Sequence, residues 1–267
     1  MATPPRPGFP ARLNLGQTTS VPGTRPAPRK SVPLAASAAM FESLAAPLPL
    51  RDPIPARARM VQQLADGGVR DSQVLRAMGA VDRHRFVDSA LVAQAYEDTA
   101  LPIGLGQTIS KPSVVARMIE LLMQSGVRGP DGRLGRVLDI GTGCGYQAVV
   151  LGHLASEVYS IERLRDLHEK ARSNLRPLRI ANVHLILGDG MAGFAKGAPY
   201  AGIIAAAGGE ALPDAWIDQL AYGGRLVAPI ASGPGQQALM VVDRSRQGVQ
   251  QTILEAVNFV PLKSGVA

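Results

Sequence analysis

Three features of this chain have the residue types and spacing to hold a nucleotide-like ligand. The first is the run Asp139, Ile140, Gly141, Thr142, Gly143, Cys144, Gly145. Glycines at alternate positions let the backbone pass close to a ligand, and a helix starting just beyond offers free N–H groups. The second is Glu162, whose carboxylate is placed to accept from both hydroxyls of a ribose. The third is Asp189, flanked by Gly188 and Gly190, where the edge of an adenine would lie.

The loop chemistry narrows the ligand. A dinucleotide fingerprint needs Gly or Ala at the sixth position of G-x-G-x-x-G, and here that position is Tyr146. Asp139 at the mouth of the loop would repel a phosphate. A glycine loop with three acids therefore favours a sulfonium cofactor, S-adenosylmethionine, over NAD. Each feature alone is weak, since a lone glycine loop is more often a turn and a strand-end acid more often solvated. Together they stand at three successive strand ends.

The surrounding pattern supplies those strands. Buried strands are expected at 136–140, 157–162, 183–187, 200–207 and 224–230, with helices at 146–155, at 163–175 and around Trp216 and Leu220. Strand–helix alternation with short connections implies an α/β fold, a mostly parallel sheet with helices on both faces. Ligands bind beyond the carboxyl ends of such strands. Residues 238–244 and 252–260 read as further strands closing one edge, in an antiparallel sense. Upstream, Met60, Val61, Leu64, Val74, Leu75 and Met78 recur at helical spacing around Gly67 and Gly68, giving an N-terminal helical cap. Residues 101–110 read as a glycine-containing loop. Pro112 suits a first helical position, with Val114, Val115, Met118, Ile119 and Leu122 on one apolar face.

Composition closes off other classes. The net charge of the 267 residues is +7, but residues 1–50 carry Arg6, Arg12, Arg25, Arg29 and Lys30 against Glu42 alone. The remainder is nearly balanced and shows no basic stripe interleaved with aromatics, so nucleic acid is not an expected partner. Residues 1–50 also hold ten of the 21 prolines, and the segment 1–55 reads as a disordered Pro-rich basic tail, with Met40 and Met60 as alternative starts. Residues 56–267 form the folded domain. No apolar run reaches the roughly 20 residues that span a bilayer. A single cysteine excludes an internal disulfide, and His84, His153, His168 and His184 lack metal-ligand spacing. No metal is expected, and the expected setting is a cytoplasmic monomer.

Several separated stretches resemble the protein-L-isoaspartate O-methyltransferase family: 77–88 (AMGAVDRHRFVD), 95–122 with its LPIGLGQTIS segment, 136–151, 161–163, 188–190 and 259–262. The LPIG-x-GQTIS-x-P segment is the specific one, because the glycine loop is shared with many methyltransferases. The resemblance implies a Rossmann-like class I methyltransferase fold and methyl transfer from S-adenosylmethionine to the α-carboxylate of isoaspartyl residues in damaged proteins. The ester then collapses to a succinimide, so repeated cycles restore aspartate. The resemblance implies Ser110 as the catalytic residue, with Gln107, Thr108 and Ile109 at the acceptor. It implies cofactor contacts at Asp139, Gly141, Thr142, Gly143, Gly145, Glu162, Asp189 and Gly190. The competing role for Ser110 is local, capping the helix that opens at Pro112.

The chain departs from the family pattern on the fourth strand. Ala201 stands where an acid is usual, Ala206 where threonine is common, and Gly208 and Gly209 where prolines are frequent. That strand end is expected to face the substrate, which puts substrate preference or rate in question. Cys144 replaces a more usual serine and reads as a small packed residue rather than a nucleophile. The alternatives are a methyltransferase acting on a small molecule or RNA, and a catalytically weak cofactor-binding protein.

Overall fold

A computed structural model describes residues 53–267. The tail expected over 1–55 lies outside the described residues up to residue 52, and residues 53–55 are helical. Helix α1 (Pro53–Asp66) opens on a proline, whose missing N–H is no loss at that position, and it includes the three residues before the expected domain start at 56. Helix α2 (Ser72–Ala80) is capped by Asp71, which accepts from the N–H groups of Gln73 at 2.8 Å and Val74 at 3.2 Å. Gly68, at φ 106°, makes the break between them.

Residues 101–110 are not a loop. They form an antiparallel hairpin of β1 (Leu101–Gly104) and β2 (Gln107–Ile109). Leu105 and Gly106 turn it with φ values of 53° and 69°, and such paired positive φ matches the twist of a two-residue hairpin. Leu101, Ile103 and Ile109 are buried and anchor the hairpin to the core. Helix α3 (Pro112–Leu122) follows, with Pro112 at its start and Val115, Met118, Ile119 and Leu122 buried. Ser110 does not cap it. The carboxylate of Asp98 does, accepting from the Ser113 N–H at 2.8 Å and the Ser113 hydroxyl at 2.7 Å.

The central sheet follows in chain order as β3 (Leu134–Ile140), β4 (Ala155–Glu162), β5 (Val183–Leu187), β6 (Tyr200–Ala205), β7 (Leu220–Gly233), β8 (Gln236–Ser245) and β9 (Gly248–Val257). Helices α4 (Tyr146–Gly152), α5 (Arg165–Leu175) and α6 (Asp214–Gln219) connect them. Leu220 is the first residue of β7, not part of the Trp216 helix as the sequence pattern suggested. In space the order is β5-β4-β3-β6-β7-β8-β9. The first five strands run parallel, and β8 and β9 are antiparallel additions at one edge.

Alternation along each strand divides the core in two. Val137, Ile204, Val227 and Val241 pack with α1 to α5 on one face. Their neighbours Leu138, Ile203, Leu226 and Val242 pack with Trp216 and Tyr200 on the other. Strand order reverses at β3, so the carboxyl end of β3 is the topological switch point where a crevice opens.

Candidate functional site

The glycine loop leaves β3 at that switch point. Gly145 takes φ 92°, and a Cβ there would meet Leu175 Cδ1 at 2.5 Å, so close packing of α5 as well as backbone conformation demands glycine. The loop is held from below. Asp139 is wholly buried, accepting from Gln147 Nε2 at 2.8 Å and Ser160 Oγ at 2.7 Å. Thr142 Oγ1 lies 2.7 Å from the same Ser160 hydroxyl. Asp139 and Thr142 were both expected at the ligand surface, yet their side chains point into a buried network that shapes the loop. Burial pushes the Asp139 carboxyl up to about 6, with the Ser160 and Gln147 hydrogen bonds working against that rise.

The loop amides are already used. Gly141 and Thr142 donate to Ile161 O at 3.0 and 3.2 Å, Gly143 donates to Glu162 Oε2 at 2.9 Å, and Gly145 donates to Thr142 O at 2.9 Å. A phosphate needs such donors free. The loop suits a cofactor that brings no phosphate, which agrees with the sulfonium reading.

Glu162 ends β4 almost buried, at 5% exposure. Its Oε1 accepts from the Leu164 N–H at 2.9 Å, and each oxygen keeps a second lone pair for a ligand hydroxyl. Asp189, at the end of β5, accepts from Met191 N at 2.9 Å and from Gly265 N at 2.7 Å. The C-terminal segment thus reaches the strand end where an adenine was expected. Gly190 is buried; its carbonyl accepts from Trp216 Nε1 at 2.8 Å, and a Cβ there would lie 2.7 Å from Ile140 Cγ2.

The hairpin comes to this loop from the other side. A Cβ on Gly143 would sit 3.1 Å from Ile103 Cδ1, and Lys170 Nζ on α5 donates to Ile103 O at 2.9 Å. Ser110 follows the hairpin, half-buried, and its hydroxyl has no hydrogen-bond partner among the described residues. Thr108 is exposed and Gln107 half-exposed, so both are open to an acceptor. Ile109 is not: it is in the core at 4% exposure.

Sequence reasoning missed Arg83. It is fully buried, donating from Nε to Ala95 O and from Nη2 to Ser110 O, both at 2.8 Å, with its guanidinium 4.9 Å from the centre of the Tyr146 ring. The available signal was an arginine between Val81 and Phe86, both core residues. His84 pairs with Tyr96, and His184 with Glu157, while His168 is buried on α5. No group of three or more His, Cys, Asp or Glu among them is placed to hold a metal ion.

The fourth-strand departures fall in two places. Ala201 lies near the amino end of β6, 2% exposed, its carbonyl accepting from Ser125 Oγ at 2.8 Å. It is at the opposite end of the sheet from the site and does not face a substrate, contrary to expectation. Ala206 is at the site end, donating to Ile140 O at 2.8 Å, with its Cβ 3.5 Å from where a Gly141 Cβ would be. Gly208 donates to Val260 O at 2.9 Å, a bond proline could not make, and a Cβ there would meet Gln237 Nε2 at 2.5 Å.

The chain is similar to known proteins in sequence and fold. Residues 56–267 match the family described as Protein-L-isoaspartate(D-aspartate) O-methyltransferase. The chain is 54% identical over 264 residues to a protein-L-isoaspartate O-methyltransferase of Methylibium petroleiphilum, covering 98% of this chain and 97% of that one. It is 61% identical over 213 residues to one of Leptothrix cholodnii, covering 79% and 74%. Among solved structures it is similar to a protein-L-isoaspartate O-methyltransferase at TM-score 0.69 and 26% identity, covering 79% of this chain and 67% of that one. Another, from Plasmodium falciparum in complex with S-adenosyl-L-homocysteine, superposes at TM-score 0.64 and 25% identity over 78% and 98%. With the fold, the glycine loop and the Ser110 hairpin all in place, the chain belongs to the protein-L-isoaspartate (D-aspartate) O-methyltransferase family.

Proposed function

We propose that this enzyme esterifies the free α-carboxylate of L-isoaspartyl residues in damaged proteins, using S-adenosylmethionine, and so starts their repair. The observation that carries the reading is the Ser110 hairpin, packed by Ile103 against the glycine loop between two strand-end acids. When bound, the cofactor supplies an electrophilic methyl group.

An α-carboxylate has a pKa of about 3.5 and is already a nucleophile at neutral pH, so no general base is required. The work left to the protein is orientation and exclusion of water, and positioning of this kind is worth roughly 7–11 kcal/mol of barrier. In our reading the Ser110 hydroxyl, free of protein partners, donates to the acceptor carboxylate, with Gln107, Thr108 and the Ile109 backbone beside it. Glu162 accepts from the ribose hydroxyls, Asp189 and Gly190 border the adenine, and the glycine loop passes under the amino-acid moiety. Asp139 and Thr142 act through the loop they brace. Residues 56–267 are the methyltransferase domain in this reading.

Damaged proteins are the partners, and we assign the enzyme to the cytoplasm as a monomer that does not act on nucleic acid. Among the described residues no helix is long and apolar enough to cross a membrane. The test uses labelled S-adenosylmethionine with a matched pair of isoaspartyl and aspartyl peptides. Base-labile label on the isoaspartyl peptide alone is the expected result. Cofactor bound without transfer to either peptide would sink the acceptor assignment and leave the small-molecule or RNA reading.

A further inference from the structure

Arg83 is a full positive charge with no exposure and no ion-pair partner among the described residues. Its Nη1 has no hydrogen-bond partner within normal geometry among the described residues. Removing a guanidinium from water without a carboxylate opposite it is unfavourable, and the same burial pulls its pKa below the ordinary value. An apolar residue would fill this space without that penalty, so packing does not explain an arginine.

What only a guanidinium can do here is reach three segments at once. One edge donates to Ala95 O, ahead of the hairpin, and another to Ser110 O, just after it. One face lies over Tyr146, the first helical residue after the glycine loop. Lysine, a point donor on a flexible stem, cannot bridge two carbonyls and stack on a ring together. The Ser110 carbonyl is therefore fixed relative to the start of α4 through one rigid plane, and the direction of the Ser110 Cα–Cβ bond follows from it.

We propose that Arg83 is a positioning residue for methyl transfer, setting the Ser110 loop at its working distance from the cofactor loop at the expense of stability. The inference rests on the reading of Ser110 as the residue that holds the acceptor. Arg83 touches neither acceptor nor cofactor; it acts through Ser110.

The test compares the full-length parent with Arg83→Gln, Ser110→Ala and the double variant, measuring kcat and KM for an isoaspartyl peptide, affinity for S-adenosylhomocysteine, and Tm. Arg83→Gln removes the charge and keeps an amide donor for one carbonyl. Its kcat should fall at least about tenfold, because small misplacements of reacting groups cost up to about a hundredfold. Its S-adenosylhomocysteine affinity should stay within about twofold of the parent's and its Tm should not drop, whereas a merely structural arginine would lower both. The double variant should be no slower than Ser110→Ala, since residues acting as a unit are not additive. Unchanged kcat in Arg83→Gln, parallel loss of cofactor affinity, or additive losses in the double variant would each overturn the proposal. If Ser110→Ala alone keeps full turnover, the Ser110 reading falls first and separately. If Arg83→Gln does not fold, Arg83→Lys, which keeps the charge, must show the same kcat loss with cofactor binding intact; failure of both to fold would make the guanidinium a requirement of the core and end the proposal.

Discussion

Glu162 Oε2 accepts the Gly143 N–H at 2.9 Å, so the acid that ends β4 also braces the glycine loop beside it. Its other oxygen takes the Leu164 N–H. Glutamine offers one acceptor in place of two, leaving a backbone donor facing an amide N–H. Glu162→Gln should weaken S-adenosylhomocysteine about tenfold or more, since a hydrogen bond to a charged group is worth about 1.5–3 kcal/mol. Tm should fall as well, by about 2–4 °C per kcal/mol lost in a domain of this size. Titration calorimetry and thermal melts separate the two effects; normal affinity would remove Glu162 from the cofactor site.

Ser110→Ala should leave the protein as stable as the parent, because the hydroxyl has no partner to lose among the described residues. Turnover should fall by about ten- to a hundredfold, in the lower range for removal of an active-site donor. S-adenosylhomocysteine binding should be unchanged. A variant with parental kcat and KM would rule out the catalytic role.

Asp139 gives a pH prediction of unusual sign. Its carboxyl is pushed up from 3.8 to about 6 in the folded protein, so the native state holds the proton more tightly than the unfolded chain. Its contribution to stability is therefore highest below pH 3.8, declines as pH rises through about 6, and is level above that. Asp139→Asn removes this slope. Urea unfolding across pH 3.5–7.5 should show the variant gaining on the parent as pH rises, by on the order of 3 kcal/mol over the whole window at about 1.4 kcal/mol per pKa unit. A constant difference would mean that Asp139 titrates in its ordinary range.

Gly208→Pro restores a residue common in the family and should still harm this chain. It loses the N–H to Val260 and puts ring atoms where Gln237 Nε2 lies. An expected loss of about 1–3 kcal/mol follows from the unpaired carbonyl alone, read as a lower Tm. Gln237→Ala relieves the clash but also removes the acceptor of the Phe259 N–H, so the double variant is compared with Gln237→Ala alone: Gly208→Pro should cost less in that background, and an equal cost would show that the clash is not the cause.

Ala201→Asp, the other reversion toward the family, should lower stability without changing KM for an isoaspartyl peptide. Ala201 is buried near the amino end of β6, against Ser125 and Gly135, and a carboxylate there would be desolvated. A changed KM in a folded variant would contradict the distance from the site argued above.

The parallel strands, the glycine loop and the strand-end acids were legible because each is written in a short stretch: RVLDI before Gly141, and an acid closing β4 and β5. The hairpin at 101–109 was missed although its signal was local, a Leu105–Gly106 pair between alternating apolar residues. Two other misreadings had a different origin. The sequence pattern places the start of β6 at Tyr200 correctly, but treats Ala201 and Ala206 as one strand end although they stand at opposite ends of the strand. The partners of Asp98, Gly208 and Asp189 are Ser113, Val260 and Gly265, and no local period encodes contacts across 15, 52 or 76 positions. Spacing placed Asp139 at the loop but says nothing of whether a side chain faces water, and its complete burial was not legible.

One consequence of the occupied loop amides reaches beyond the molecule. Four of the five N–H groups from 141 to 145 are spent on Ile161, Glu162 and Thr142, so ATP and NAD, which also carry adenosine, find no seat for their anionic chains. Millimolar ATP or NAD should therefore leave S-adenosylhomocysteine binding unchanged, and competition by either would show that the loop opens to an anionic chain.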